Sequence, residues 1–492
     1  MTKTPSRTAG LDTLVAALDG AAVRGALDLR VSGLAHDSRT VAPGNAFVAL
    51  RGTTSDGHDF VPQAVARGAT ALVVELARAE RLDVPPGVTV VAVPDTQAAL
   101  ARLAATFFDR PARAFAHLIG ITGTNGKTTT SLFIQAVLEA GGYPCGRIGT
   151  LGAHFGETEW HLGNTTPLAL ELQASLAKMR DLGARAVVME VSSHALALGR
   201  VADIEFTRAV LTNVTRDHLD FHKTFETYVA EKRKLFDLAA GTIFNLDDRY
   251  GRIWAGDFPA GPWQTYGFAP DARVRAQSVV LLPGGSAFSV DGNRFELRVP
   301  GRFNVSNALA AIATGRSVDI DDARTARSLA SIERIPGRME HFGAGGVDVV
   351  VDYAHTPDAL ENVLTAVRAT TAGRLTVVFG CGGDRDRGKR PEMGRVASEL
   401  ADRVVVTSDN PRSEEPQAIV DEILAGMRSG VTPEVELDRA VAIERAIAEA
   451  TPGDAVVVAG KGHETEQIVG ATSRHFDDRE IVQAALNVRE RA

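Results

Sequence analysis

The sequence predicts an α/β protein of three domains, two of them built on buried parallel sheets. Three observations carry that expectation. The chain has 492 residues, where about 150 residues make a typical domain. Seven apolar runs each end in glycine or polar residues, as strands of a sheet covered on both faces do. Breaks in pattern near 110 and near 337 divide the chain into segments 1–110, 111–337 and 338–492.

Composition sets the outer limits. With 45% hydrophobic and 23% charged residues the chain has ample apolar material for separate cores. Fifty-three Lys and Arg against 61 Asp and Glu leave a net charge of −8, so no global positive field exists for nucleic acid or an acidic membrane surface. Any anion site must be local. Cys145 and Cys381 are too few for a disulfide framework or a zinc cluster and suit a reducing compartment, so a cytoplasmic protein is expected. The stretch 11–23 follows Lys3 and Arg7, but Asp12 and Asp19 interrupt it as they would not in a signal peptide. No apolar run reaches the roughly 18 residues that cross a bilayer. A soluble protein with no membrane span follows.

In chain order, segment 1–110 reads as strands at 46–50, 69–75 and 88–93 with helical stretches at 61–67 and 97–108, a small mixed α/β unit. Asp109, Arg110 and Pro111 stop the last helix. The buried runs then fall at 117–121, 186–189, 209–211, 347–351, 375–379, 404–406 and 455–459, the second pattern break lying at 334–338. Ligands of open parallel sheets gather at the carboxyl ends of strands. Here those ends carry Gly123 to Lys127, Glu190 to His194, Asn213 to His218, Asp352 to His355, Gly380 to Arg385, Asp409 to Arg412 and Gly460 to Glu464, which suggests one cleft between two domains.

One ending is specific. Gly123, Thr124, Asn125, Gly126, Lys127, Thr128 and Thr129 follow a strand and open a helix over 128–140, which Gly141 and Gly142 would end. Glycines let backbone N–H groups curl around phosphate, Lys127 reaches terminal phosphates, and the Thr128 hydroxyl can ligate Mg²⁺. The general phosphate-loop pattern wants its leading glycine at 121, where the chain has Ile121. Glu190 and His218 follow two further strands and are candidate metal ligands; the bland readings are a capping charge and a packed loop residue. Lys232, within a charged helical stretch, reads by composition as an exposed helix lysine.

Taken together, Gly-Thr-Asn-Gly-Lys-Thr-Thr at 123–129, Glu-Val-Ser-Ser-His at 190–194, Asn-Val-Thr-Arg-Asp-His-Leu-Asp at 213–220, Gly-Arg-Phe-Asn-Val-Ser-Asn-Ala at 301–308, Pro-Gly-Arg-Met-Glu at 336–340 and Asp-Tyr-Ala-His-Thr-Pro at 352–357 closely resemble the ordered motifs of the Mur ligases. Asp37, Ser38 and Arg39 near the start and Asp409, Asn410, Pro411 and Arg412 near the end extend the resemblance to nearly the full length. It implies a UDP-binding N-terminal domain, a central ATP-binding P-loop domain and a Rossmann-like C-terminal domain that binds an amino acid. The implied activity is ATP-dependent addition of meso-diaminopimelate to UDP-N-acetylmuramoyl-L-alanyl-D-glutamate through an acyl phosphate, in cytoplasmic peptidoglycan precursor synthesis, by a monomer that uses Mg²⁺.

Carried residue by residue, the resemblance assigns Lys127, Lys232, His218 and Arg338 to catalysis, with Thr128, Glu190, His218 and a carbamylated Lys232 toward the metal. It assigns Asn304, Asn307, Asp352 and His355 to ATP alongside residues 123–129. Ser38, Thr53, Thr54, Ser55, Asn164, Thr165, Thr166, Ser192 and Arg200 match the UDP-sugar-peptide contacts. Arg385, Asp409, Asn410, Pro411, Arg412, Gly460 and Glu464 match those of diaminopimelate. Leu198 departs, standing where members often carry Gln. A guanidinium can bind the second carboxylate of diaminopimelate, which lysine lacks, with two parallel hydrogen bonds, so Arg412 is the natural discriminator. Its bland reading is a loop ion pair with Glu414 or Glu415. The alternatives are a lysine-adding member, a ligase like folylpolyglutamate synthase, and a nucleotide-binding switch that hydrolyses ATP slowly.

Overall fold

The computed structural model describes residues 7–52, 55–282 and 284–491. The chain forms two compact units, one of residues 1–120, 143–209 and 231–241, the other of residues 121–142, 210–230 and 242–492. Strands His117–Thr122 and Arg208–Leu211 each give their first residues to the first unit and their last to the second.

The first unit begins with a five-stranded sheet in the order Ala22–Arg24, Thr89–Val93, Ala71–Glu75, Asn45–Val48, Gly33–Ala35, parallel except for its first member. Side chains alternate faces along a strand. Val48, Val73, Val91 and Val93 therefore pack with Leu100 and Leu103 of helix Thr96–Phe107, while Phe47, Leu72, Val74 and Val90 pack with Val61 and Ala64 of helix Val61–Ala66. Asp95 starts the longer helix by accepting from the N–H groups of Gln97 and Ala98. Further along, Cys145–Gly149 pairs in parallel with Ala186–Glu190 and antiparallel with Gly152–Phe155, which turns into Thr158–Trp160.

In the second unit, helix Lys127–Ala140 packs against Arg302–Arg316, and strands Thr242–Asn245, Thr265–Gly267 and Val274–Arg275 pair in parallel. Its largest sheet runs Glu340–Ala344, Val347–Asp352, Ala455–Ala459, Leu375–Phe379, Arg403–Val406, Glu434–Val435. Five of these strands are parallel, and Glu340–Ala344, which sequence reading did not find, lies antiparallel at the edge. Both faces are apolar. Val350, Val377, Phe379 and Val457 pack with helices Pro357–Arg368, Lys389–Leu400 and Pro416–Leu424, whereas Val349, Val378 and Val456 pack with Arg439–Ala448 and Asp478–Arg491. That is why these strands read as unbroken valine runs.

The α/β class is therefore as the apolar runs predict. Among the described residues no helix is long and apolar enough to cross a membrane. Cys145 and Cys381 are free and buried.

Candidate active site

The glycine-rich turn sits between strand His117–Thr122 and helix Lys127–Ala140, the context that sequence predicts. Gly126 is the helix N-cap at φ +85°, and a Cβ there would lie 2.5 Å from Asn307 Oδ1, so glycine is needed for conformation and for space alike. Backbone and short side chains brace the loop. Thr124 N–H donates to the Asn213 carbonyl at 2.8 Å, Asn125 N–H to Asn213 Oδ1 at 2.9 Å, and Thr212 Oγ1 to the Asn125 carbonyl at 2.6 Å. Thr124 Oγ1 lies 2.8 Å from the Tyr228 hydroxyl. Lys127 Nζ folds back onto the carbonyls of Gly123 at 2.9 Å and Thr124 at 2.8 Å, so its charge is kept within the curl of the loop. Thr128 and Thr129 are buried at the helix start.

Asn304 and Asn307 lie one turn apart on helix Arg302–Arg316, both buried and joined by a 3.2 Å hydrogen bond, and Asn307 Oδ1 accepts from Thr130 Oγ1 at 3.2 Å. Asn304 donates to the Pro300 carbonyl, but Gly301 holds the N-cap position. Arg338 Nη2 donates to Thr128 Oγ1 at 3.3 Å while its guanidinium lies 4.3 Å above the Tyr353 ring. Asp352 accepts from the Met339 N–H at 2.7 Å. Burial pushes its carboxyl up despite the charge of Arg338. Asn125 Nδ2 donates to Asp358 Oδ2 at 2.8 Å, so the loop is tied directly to the start of helix Pro357–Arg368. Sequence reading missed Asp358.

Five of the seven predicted strand endings line one cavity of about 210 Å³. Asp217 and His218 come from the first of them; Tyr353 and His355, Gly382 and Arg385, Asp409, Asn410 and Arg412, and Gly460 and Glu464 come from the others, with Lys389 alongside. Asp217, given no role by sequence, is one of the buried carboxylates here, with Asp386 and Asp409. Burial pushes its carboxyl up, but the His355 hydrogen bond and the charges of His218 and Lys389 outweigh it and hold it well below the usual range. Its signals were its place in the strand ending 213–218 and adjacency to His218, which has the left-handed φ of +55°.

Arg412 does not pair with Glu414 or Glu415 as a surface reading has it. Its Nη1 donates to the Gly383 carbonyl at 2.8 Å and points along the cavity wall, while Glu414 is held bidentate by the fully buried Arg390 at 2.8 and 2.9 Å. Burial, aided by the like charge of Arg385, makes the Arg412 guanidinium easier to deprotonate than a solvated one. In the same lining, Asn410 Nδ2 donates to Glu464 Oε2 at 2.9 Å, and Gly460 has a φ of +119° with Asp409 Oδ2 only 2.7 Å from where a Cβ would stand. Pro411 is buried behind this wall.

The first unit holds the remaining predicted residues. Glu190 is fully buried and accepts from the Thr150 N–H and hydroxyl, both at 3.0 Å. It is no helix cap, since Ser192 caps Ser193–Ala197 through the Ala195 N–H. Thr165 Oγ1 lies 3.1 Å from Thr150 Oγ1. Thr166 Oγ1 donates to the Glu190 carbonyl at 2.9 Å and accepts from the Ser192 N–H at 3.0 Å, and Arg200 Nη1 donates to the Thr166 carbonyl at 2.7 Å. These residues form one polar cluster. Asn164 and Ser55 are exposed, Leu198 is half-buried, and Ser38 Oγ donates to Gln63 Oε1 at 2.7 Å. Thr53 and Thr54 lie outside the described residues. Lys232 overturns its compositional reading: it is 1% exposed, because helix Phe225–Asp237 turns this position inward, which charge pattern alone does not reveal.

Comparison with known proteins bears on these motifs as a set. The Mur ligase family, catalytic domain matches residues 30–108, the Mur ligase middle domain residues 121–315, and the Mur ligase, glutamate ligase domain residues 337–462. A curated relative from Gloeobacter violaceus, named UDP-N-acetylmuramoyl-L-alanyl-D-glutamate–2,6-diaminopimelate ligase, is 47% identical over 472 residues, covering 94% of this chain and 95% of its own. One of the same name from Thermosynechococcus vestitus is 44% identical over 474 residues, covering 94% and 95%. A solved structure of an enzyme of that name is 31% identical with a TM-score of 0.63, covering 93% of this chain and 95% of its own. With motifs in order, three family models matched in succession and identity sustained across nearly the whole length, this chain belongs to the Mur ligase family.

Proposed function

We propose that the chain is an ATP-dependent ligase that joins meso-diaminopimelate to the D-glutamyl carboxylate of UDP-N-acetylmuramoyl-L-alanyl-D-glutamate, releasing ADP and phosphate in the synthesis of peptidoglycan precursors. One observation supports the reading most: the 210 Å³ cavity is lined by Arg385 and Arg412 together with Asp409 and Glu464, a charge mix suited to a zwitterion, and the phosphate loop is hydrogen-bonded to the same unit through Asn125. Residues 1–110 are assigned to UDP, 111–337 to ATP and 338–492 to the amino acid, in a cytoplasmic monomer.

In this reading ATP phosphates take the loop N–H groups of residues 123–129, and Lys127 exchanges the Gly123 and Thr124 carbonyls for phosphate oxygens. Asn304, Asn307, Asp352 and His355 contact the nucleotide. The γ-phosphoryl group passes to the D-glutamyl carboxylate, forming an acyl phosphate as the bond to ADP breaks. The diaminopimelate amine then adds to the acyl carbon, loses its proton, and the tetrahedral species collapses with phosphate leaving. A carboxylate becomes electrophilic this way, and Lys127 and Arg338 neutralise charge as the phosphoryl group moves. Water must be kept from the intermediate.

Mg²⁺ fits the donors. Thr128 and Glu190 offer the oxygen ligands a hard cation prefers, His218 adds a nitrogen, and Lys232 as a carbamate would replace an ammonium by oxygens. When bound, the ion supplies charge neutralisation. Ser38, Thr53, Thr54, Ser55, Asn164, Thr165, Thr166, Ser192 and Arg200 are assigned to the UDP-sugar-peptide, and Arg385, Asp409, Asn410, Pro411, Arg412, Gly460 and Glu464 to diaminopimelate.

The test is ADP release by purified protein with an amino-acid panel. Release should require both the UDP-muramoyl dipeptide and diaminopimelate; release that needs neither would favour a slow ATPase switch, and a preference for lysine would reassign the amino acid.

A further inference from the structure

We propose that Lys461, which no assignment above includes, is a positioning residue that sets the amino-acid pocket from behind its wall. The proposal rests on the reading of that cavity as the diaminopimelate site. Lys461 is 0% exposed and is not itself a lining residue. Its ammonium has three donors, and three acceptors surround it: Asn410 Oδ1 at 3.2 Å, Glu464 Oε2 at 3.4 Å and the Glu466 carbonyl at 2.6 Å.

Two of those acceptors belong to side chains that do line the cavity. Asn410 Oδ1 also accepts from the Ile468 N–H at 3.0 Å, so two donors meet at that oxygen and the amide has one orientation, with Nδ2 aimed at Glu464 Oε2. Glu464 Oε2 is thereby occupied by Asn410 and Lys461, and Oε1, 3.4 Å from the Tyr353 hydroxyl, is the oxygen available to the cavity. The third acceptor reaches further. Glu466 opens the hairpin Glu466–Val469 and Thr472–His475, whose Ile468 carbonyl accepts from the Arg412 N–H at 3.1 Å and whose Gly470 N–H donates to the Arg412 carbonyl at 2.7 Å. One buried amine thus fixes the carboxylate that would take the ligand's ammonium and the segment that seats Arg412, its carboxylate partner.

A buried ammonium is costly to desolvate, and an apolar side chain could fill the space as well, so stability alone is a weak reason to have lysine here. The test compares Lys461→Met and Lys461→Arg with the parent in steady-state kinetics on all three substrates. Lys461→Met should raise KM for diaminopimelate by about tenfold to a hundredfold, the scale of losing hydrogen bonds to charged groups, and leave KM for ATP and for the UDP-peptide within about twofold. Lys461→Arg, which keeps the charge and donors, should recover part of the loss and serves if the Met variant does not fold. In a Glu464→Gln background, Lys461→Met should add less than about threefold, because residues acting through one contact are not additive. An unchanged KM for diaminopimelate, a parallel rise for all three substrates, or full additivity with Glu464→Gln would overturn the proposal. A parent enzyme that does not use diaminopimelate would instead overturn the reading beneath it.

Discussion

The glycine-lysine loop and the charged cavity are built by opposite means. The loop itself is seven consecutive residues, and Lys127 is held by carbonyls three and four positions before it. Its braces are mostly backbone groups and neutral side chains. The cavity draws on five strand endings spread from Asp217 to Glu464, and its scaffold is charged: Arg390, fully buried, grips Glu414 and donates to the Gly382 carbonyl at 3.2 Å. Local geometry shapes the loop, whereas the cavity depends on charges brought from far along the chain. The two regions should therefore fail differently.

The largest effect is expected at the loop. Lys127→Ala removes the loop's own ammonium and should cut ADP release by about 10²- to 10³-fold, the scale of deleting a single preorganised charge stabiliser. The loss should be as severe with lysine as with diaminopimelate in the assay. A loss confined to one amino acid would erase the distinction between the regions.

Arg412→Ala should do the reverse, raising KM for diaminopimelate by about tenfold to a hundredfold per charge-assisted bond lost and abolishing its preference over lysine, with KM for ATP unchanged. An unaltered amino-acid preference would remove Arg412 from recognition.

The smallest effect sharpens the contrast through pH. The Arg390 hydrogen bond, opposed by burial, holds the Glu414 carboxyl at about 2, down from 4.5. A carboxyl depressed in the fold adds stability above its ordinary value that is lost as pH falls toward the depressed one. Glu414→Gln should thus be less stable than the parent at neutral pH, and the two urea midpoints should converge as pH falls from 4.5 to about 2. A gap that is constant with pH would mean that shape, not charge, carries this part of the scaffold.

How much of this was legible follows the same division. The strands at 375–379 and 455–459 coincide with the observed Leu375–Phe379 and Ala455–Ala459, because a strand buried on both faces must be apolar throughout and polar groups can begin only where it ends. The short edge strand Glu340–Ala344 and the hairpin Gly152–Phe155 with Thr158–Trp160 went unread, since partly exposed strands carry mixed residues. Single residues were harder. Composition put Lys232 on the surface and Arg412 in a loop ion pair, and neither holds. Asp358 carried no signal of its own, and Asp217 and Lys461 only their places in the strand endings at 213–218 and 460–464.

By itself the sequence determined the α/β class, the glycine-lysine turn and the ordered motifs of the family, because each depends on residues close together along the chain. Tertiary structure alone decided which strand endings share the cavity, that Asn410 and Lys461 both meet Glu464 Oε2, and that Lys232 and Lys461 are buried. Those facts depend on which distant groups the sheet brings within hydrogen-bonding reach, and a hydrogen bond is insensitive to the number of residues between its partners.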